Sequence, residues 1–321
     1  MTNPERDPDE LVLDPCAATS EVEILRARDV PLGGPRAMSV RRTLPQRHRS
    51  LIGAWCFVDH YGPDRVADSG GMVVASHPHT GLQTVSWLFT GEVEHTDSAG
   101  NHAMVRPGEV NLMTAGHGIS HSEVSTDGTE VLHGVQLWVA LPDASRDVDP
   151  GFAHHAPEPV SGDGWVARVF LGSLLGDTSP VETHTPLLGV ELLLDAGTVL
   201  DLDVDAAFEH GVLVDTGVVE VCGQEATSGD LAYVAPGRTG LRLSAGAAAA
   251  RVLVLGGTPF GESIVMWWNF VGRTHDEIVG FREEWQQRIA SGTDGRFGIV
   301  DHPLPPIPAP PMPHVRLKQR R

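Results

Sequence analysis

Short runs rich in Val, Leu and Ile recur along most of the chain, and glycine- or proline-bearing turns separate them. In the first half these runs are Trp55–His60, Gly71–Ser76, Thr84–Phe89, Val110–Thr114 and Val131–Leu141. Apolar and polar positions alternate within them, the period of a strand whose successive side chains face opposite sides. Thr90-Gly91, Asp97–Asn101 and Pro107-Gly108 supply turn chemistry between them. Evenly spaced strands joined by turns predict an all-β jelly-roll barrel. The second half repeats the pattern at Trp165–Leu171, Gly189–Asp195, Val199–Val204, Gly211–Val214 and Val218–Cys222. Its Asp215-Thr216-Gly217 and Pro236-Gly237 turns echo those of the first half, so the chain reads as two related barrels in tandem. Helical spacing is convincing only near the C-terminus. Thr274 and Glu277 fit a capping box, Ile278, Phe281, Trp285 and Ile289 recur along one face, and Ser291-Gly292 stops it.

The expected organisation is a flexible tail over 1–20, a metal-binding barrel over 21–145 beginning with a strand at Glu21–Arg28, and a linker over 146–164. A second barrel without metal follows over 165–290 and includes the helix at 274–290. Residues 291–321 read as a proline-rich, extended and finally basic tail. Trp87, Trp138 and Met113 are expected in the barrel core, with Met113 able to line a cavity. Trp267–Phe270 reads as packing between domains or as a wall beside a pocket.

A net charge of −19 argues against direct binding of nucleic acid or an anionic membrane, both of which favour Lys/Arg-rich faces. Cys16, Cys56 and Cys222 are widely spaced and odd in number, which is no disulfide framework and favours a reducing cytoplasm. No apolar stretch reaches the length of a membrane span, and the first residues lack the apolar core of a secretion signal.

The chemistry concentrates in two short stretches, His77-Pro78-His79 and His121-Ser122-Glu123. On strands, residues i and i+2 share a face, so each stretch presents two metal-binding groups to one side. Facing strands would place three imidazoles and a carboxylate around one point, a donor set open to Fe, Mn, Ni, Cu or Zn. His117 reads as a pocket acid/base or a rim residue, and His60 as a residue at the mouth. His95, His102, His133, His154, His155 and His184 are expected at the surface or at strand ends.

The context of these pairs resembles the two cupin motifs. Gly71 followed by His77-x-His79 is similar to the first, and Gly108, Gly116-x-Gly118-x-x-His121 to the second. The usual carboxylate of the first motif is absent, and Gln83 occupies its neighbourhood. HPHTGLQTVSWLFTGEVEH, MTAGHGISHSE, VQLWVAL and FVDHYGP together resemble the pirin family over about residues 21–290. The resemblance implies a bicupin with one mononuclear iron(II) site held by His77, His79, His121 and Glu123, with positions open for water or substrate. It also implies a metal-dependent dioxygenase of the quercetin 2,3-dioxygenase type, acting on a flavonol or related phenolic with O2. Glu123 would then serve as both ligand and catalytic base. The alternative the resemblance carries is a non-catalytic, redox-sensitive iron protein that binds an unidentified partner protein.

Overall fold

The computed structural model describes residues 22–31 and 38–320. The expected 1–20 tail and Cys16 lie outside the described residues. Each half of the chain forms a barrel from a seven-stranded and a four-stranded antiparallel sheet. In the first barrel the seven-stranded sheet runs Gly151–His155, Val110–Thr114, Leu82–Thr90, Val131–Ala140, Trp55–Arg65, Ser39–Leu44, Arg28–Pro31. Its four-stranded sheet runs Val73–His79, Ile119–Ser125, Val93–Asp97, His102–Val105. The second barrel has the matching pair, built on Leu187–Leu194, Glu209–Thr216 and Ala250–Gly257 in the larger sheet.

The larger sheets of the two barrels pack face to face. Val85, Trp87, Val135, Leu137 and Val139 from the first barrel share one buried cluster with Phe170, Leu213, Leu231, Leu253 and Leu255 from the second. Central strands therefore bury both faces, which is why Val131–Ala140 reads as a nearly continuous apolar run. Trp87 belongs to this interface, where it stacks on Phe170 at 4.6 Å, and not to the barrel interior as expected. Trp138, one step out of phase with Leu137 and Val139, points inward and stacks on Phe57 at 4.2 Å.

The two barrel interiors differ. The second is one continuous apolar cluster. The first is split into an apolar cluster around Phe57, Leu82, Met113 and Trp138 and another around Tyr61, Met72, Leu88 and Leu132. The inward positions between them on the same strands carry polar residues: Asp59, Thr84, Ser86 and Gln136. Asp59 is paired bidentately with buried Arg42 at 2.7 and 2.9 Å. That polar band is where the candidate site sits.

Three expected boundaries shift. Val22–Leu25, placed by sequence in the first barrel, pairs with Leu231–Val234 in the second, because the extended chain finds its open sheet edge there. Gly151–His155, expected in the linker, adds to the edge of the first barrel beside Val110–Thr114. Residues 291–320 do not trail away. Phe297 and Ala309 are buried against Trp285 and Phe270, Ile307 N–H donates to Ser76 O, and Arg320 pairs with Ile264. The helix spans His275–Ser291, and both bonds of the capping box are present.

A buried ionic cluster ties the barrels together. Asp215 of the second barrel accepts from His60 at 2.7 Å and His133 at 2.6 Å of the first, and from Arg251 at 3.1 Å. His60 is therefore an inter-barrel residue and not part of a pocket mouth, and His133 is buried and not at the surface. Removing one partner from such a cluster leaves the others desolvated and unpaired. Asp215→Ala is expected to lower stability by about 3–5 kcal/mol in urea unfolding. A loss below about 1 kcal/mol would show that the cluster does not hold the barrels together.

Candidate metal centre

Three neighbouring strands of the smaller sheet bring the donors together. Val73–His79 carries His77 and His79, Ile119–Ser125 carries His121 and Glu123, and Val93–Asp97 carries His95 and Asp97. In register, His121 lies opposite His77 on one side and Asp97 on the other, and Glu123 lies opposite His95. The pair His95-Thr96-Asp97 has the same i, i+2 spacing as the two pairs singled out by sequence. His95, expected at the surface or at a strand end, is instead in the middle of its strand and 3% exposed, and the shared spacing was the signal that could have found it.

The donor atoms of His77, His79 and His121 all lie within 4.8 Å of one another, and all three residues are buried. Neighbours place their protons. His77 Nδ1–H donates to Ala75 O and His79 Nδ1–H donates to Asn269 O, each at 3.0 Å. A carbonyl only accepts, so both rings hold their proton on Nδ1 and turn an Nε2 lone pair inward. His79 Nε2 and His121 Nε2 stand 3.1 Å apart. Burial pushes the His77 pKa down to about 3 and those of His79 and His121 well below the usual imidazole value, with the neighbouring rings adding repulsion. The rings are therefore neutral at pH 7, the form a metal ion binds. Converging, neutral, inward lone pairs are a donor set that fits a divalent transition metal.

Glu123 belongs to a second group of donors that shares His121 with the histidine trio. Its carboxylate groups with His121 and His95, each donor atom within 4.8 Å of the others, and Ser86 Oγ–H approaches Glu123 Oε1 at 3.4 Å. The pairing with Val73–His79 shifts register between His121 and Glu123, while on the other side both stay in register with Val93–Asp97. Burial raises the Glu123 carboxyl above its usual range against the opposing pull of His95 and Ser86. Gln83 alternates with the inward Thr84 and lies in phase with Val85 and Trp87 of the inter-barrel cluster, donating to Thr114 Oγ1 at 2.9 Å. Its difference from a carboxylate thus falls outside the polar band. His117 is a rim residue, with its ring turned toward Asp149 and its carbonyl held by Arg296. Trp138 lies edge-on to His79 at 5.1 Å, and Met113 packs in the same apolar cluster. The hairpin Val265–Trp267 to Phe270–Gly272 reaches the site through Asn269 O, so it supports a proposed ligand as well as packing.

The Pirin family profile matches residues 37–139, and that of the Pirin C-terminal cupin domain matches residues 189–290. The chain belongs to the pirin family. A Pseudomonas aeruginosa relative, provisionally named for quercetin 2,3-dioxygenase activity, is 44% identical over 289 residues, 89% of each chain. A pirin-like protein of Caulobacter vibrioides is 35% identical over 277 residues, 82% of this chain and 92% of that one. The crystal structure of a quercetin 2,3-dioxygenase from Acinetobacter baumannii superposes with a TM-score of 0.86 at 39% identity, covering 92% of this chain and 97% of the other. Pirin membership accounts for the all-β bicupin plan.

The proton positions generate a prediction for the metal-free protein. In the unfolded chain, His77, His79 and His121 take up protons near the usual imidazole value of about 6.5, whereas folded His77 does so only at about 3. The folded state binds fewer protons in that window, so stability falls as pH drops from about 6.5 toward 3. Melting curves of the apo protein should show a midpoint that declines across this window. The decline should be shallower in a H77Q/H79Q/H121Q variant. Equal slopes in the two proteins would contradict the assignment of buried, neutral imidazoles.

Proposed function

We propose that this pirin is a metal-dependent dioxygenase of the quercetin 2,3-dioxygenase type, acting on a flavonol or related phenolic with O2. The observation that carries the reading is the convergence of three neutral imidazoles inside the first barrel and not the second. The relatives from Pseudomonas aeruginosa and Acinetobacter baumannii, at 44% and 39% identity, support the same reaction class. His77, His79 and His121 would hold one divalent ion, with Glu123 as the carboxylate in the fourth role and iron(II) as the expected metal. When bound, that ion supplies a Lewis-acidic, redox-capable centre at which a phenolic oxygen and O2 can meet.

The chain's own groups have distinct tasks. Ala75 O and Asn269 O fix the rings of His77 and His79. Glu123 takes the phenolic proton, which makes the substrate ring electron-rich, while Ser86 and Gln136, joined at 3.0 Å, hold the polar band beside it. Trp138, edge-on to His79 and stacked on Phe57, makes the side of the site next to His79 apolar and aromatic. Cys56 and Cys222 are free thiols, consistent with a reducing cytoplasm, and among the described residues no helix is long and apolar enough to cross a membrane. The complete burial of the trio also favours a second reading, in which the ion is retained as a redox-sensitive element and a partner protein reads the surface.

Dioxygen uptake with quercetin, measured on protein loaded anaerobically with Fe(II), separates the two. Uptake by the wild type and its loss in His77→Ala establishes metal-dependent oxygenation. Glu123→Gln, with iron still bound, should be slower by about 100- to 10,000-fold if Glu123 takes the proton. Full activity in that variant would remove Glu123 as the base. No uptake by iron-loaded wild type, with quercetin or other phenolics, would leave the redox-sensitive reading in place of the dioxygenase.

A further inference from the structure

The third ligand-type pair, His95-Thr96-Asp97, is unused by the proposed reaction. Its neighbours settle what it can do. Asp97 is anchored first: Oδ1 accepts from the backbone N–H of Ala99 and Asn101, and both carboxylate oxygens accept from the Asn101 side chain. Asp97 Oδ2 faces His95 Nε2 at 3.3 Å. A carboxylate so engaged is an acceptor, so His95 Nε2 carries the hydrogen and His95 Nδ1 is left with a lone pair. That lone pair faces His121 Nδ1 at 3.3 Å. With His121 Nδ1 as the donor, the His121 Nε2 lone pair faces the space shared with His77 and His79 and stands 3.1 Å from the His79 Nε2 lone pair, a contact that a cation held between the two rings relieves. The ring of His95 is itself packed against Phe152 at 5.0 Å, so its orientation is fixed on a second side.

We propose that His95, held by Asp97, is a positioning residue that fixes the tautomer and ring orientation of His121 and so completes the three-imidazole site. The inference rests on the metal centre proposed above. It gives His121 the service that carbonyls give to His77 and His79, with one difference. A carbonyl can be replaced only by moving backbone, whereas the acceptor for His121 is a side chain and can be exchanged. In metal proteins such outer partners typically contribute about 10- to 100-fold in metal affinity.

The site offers a paired substitution that separates hydrogen bonding from packing. His95→Asn places an amide oxygen close to where His95 Nδ1 stands and keeps an acceptor for His121. His95→Leu fills similar space with no acceptor. Each protein is titrated with Co(II) alone, in competition with a chromophoric chelator and with its visible spectrum recorded. The His121 tautomer is read in the metal-free proteins from long-range proton–nitrogen NMR spectra.

Wild type and His95→Asn should show a Nδ1–H tautomer at His121 and Co(II) affinities within about threefold of one another. His95→Leu, with an unchanged far-ultraviolet spectrum, should show mixed tautomers, a shifted Co(II) band and affinity lower by about 10- to 100-fold. Wild-type tautomer and affinity in His95→Leu would overturn the proposal and leave His95 a packing residue. Equal loss in both variants, with one imidazole fewer around Co(II) by X-ray absorption, would overturn it in favour of His95 as a direct ligand. A wild type that binds no Co(II) defeats the metal centre itself, and the NMR spectra of the apo proteins then decide the hydrogen-bond chain on their own.

Discussion

Much at this site follows from burying imidazoles side by side, where loss of water and the neighbouring rings oppose a positive charge. His77, His79 and His121 lie inside a barrel whose ends are closed by apolar clusters, so protonation is opposed by desolvation. Neutral imidazoles still carry one N–H each, and each of those protons needs an acceptor. Ala75 O and Asn269 O provide two, and the geometry around His95 provides the third. Once the outer nitrogens are committed, the inner ones turn lone pairs toward a common point. The barrel thus reaches a metal-ready state through hydrogen bonds made on the side facing away from the metal.

The second barrel, without such ligands, still shapes the first. Packing of the two large sheets buries the outer faces of Leu82–Thr90 and Val131–Ala140 and leaves their inner faces to define the polar band. Asp215 links the barrels electrostatically through His60 and His133. Beyond the second barrel, the hairpin bearing Asn269 reaches back to His79, and the segment containing Arg296 and Ile307 runs over His117 and Ser76. Residues far along the chain therefore hold the surroundings of ligands that lie within the first half.

Much of this was legible in the sequence because a strand's period is short and local. H-x-H and H-x-E identify inward pairs without knowledge of tertiary structure, and turn residues mark the strands that carry them. What alternation does not reveal is which strands are neighbours. His95-Thr96-Asp97 had the right spacing, but only the order of the four-stranded sheet sets it beside His121. Likewise Trp87 and Trp138 both read as buried, and only the pairing of sheets assigns one to the interface and the other to the barrel. The exchange of Val22–Leu25 into the second barrel and the docking of residues 291–320 depend on sheet edges and surfaces formed elsewhere in the chain. Glu123 shows the same dependence: its spacing from His121 marks a shared face, and only the sheet order adds His95 and Ser86 as its further neighbours.

The central claim is that one divalent ion belongs among His77, His79 and His121. Its most direct test is a crystal structure of the protein loaded anaerobically with Fe(II), with anomalous scattering recorded at the iron edge. The account predicts one peak per chain, about 2.0–2.2 Å from the Nε2 atoms of those three residues. A chain without a peak, or with its peak among His60, His133 and Asp215 and none at the trio, would contradict it.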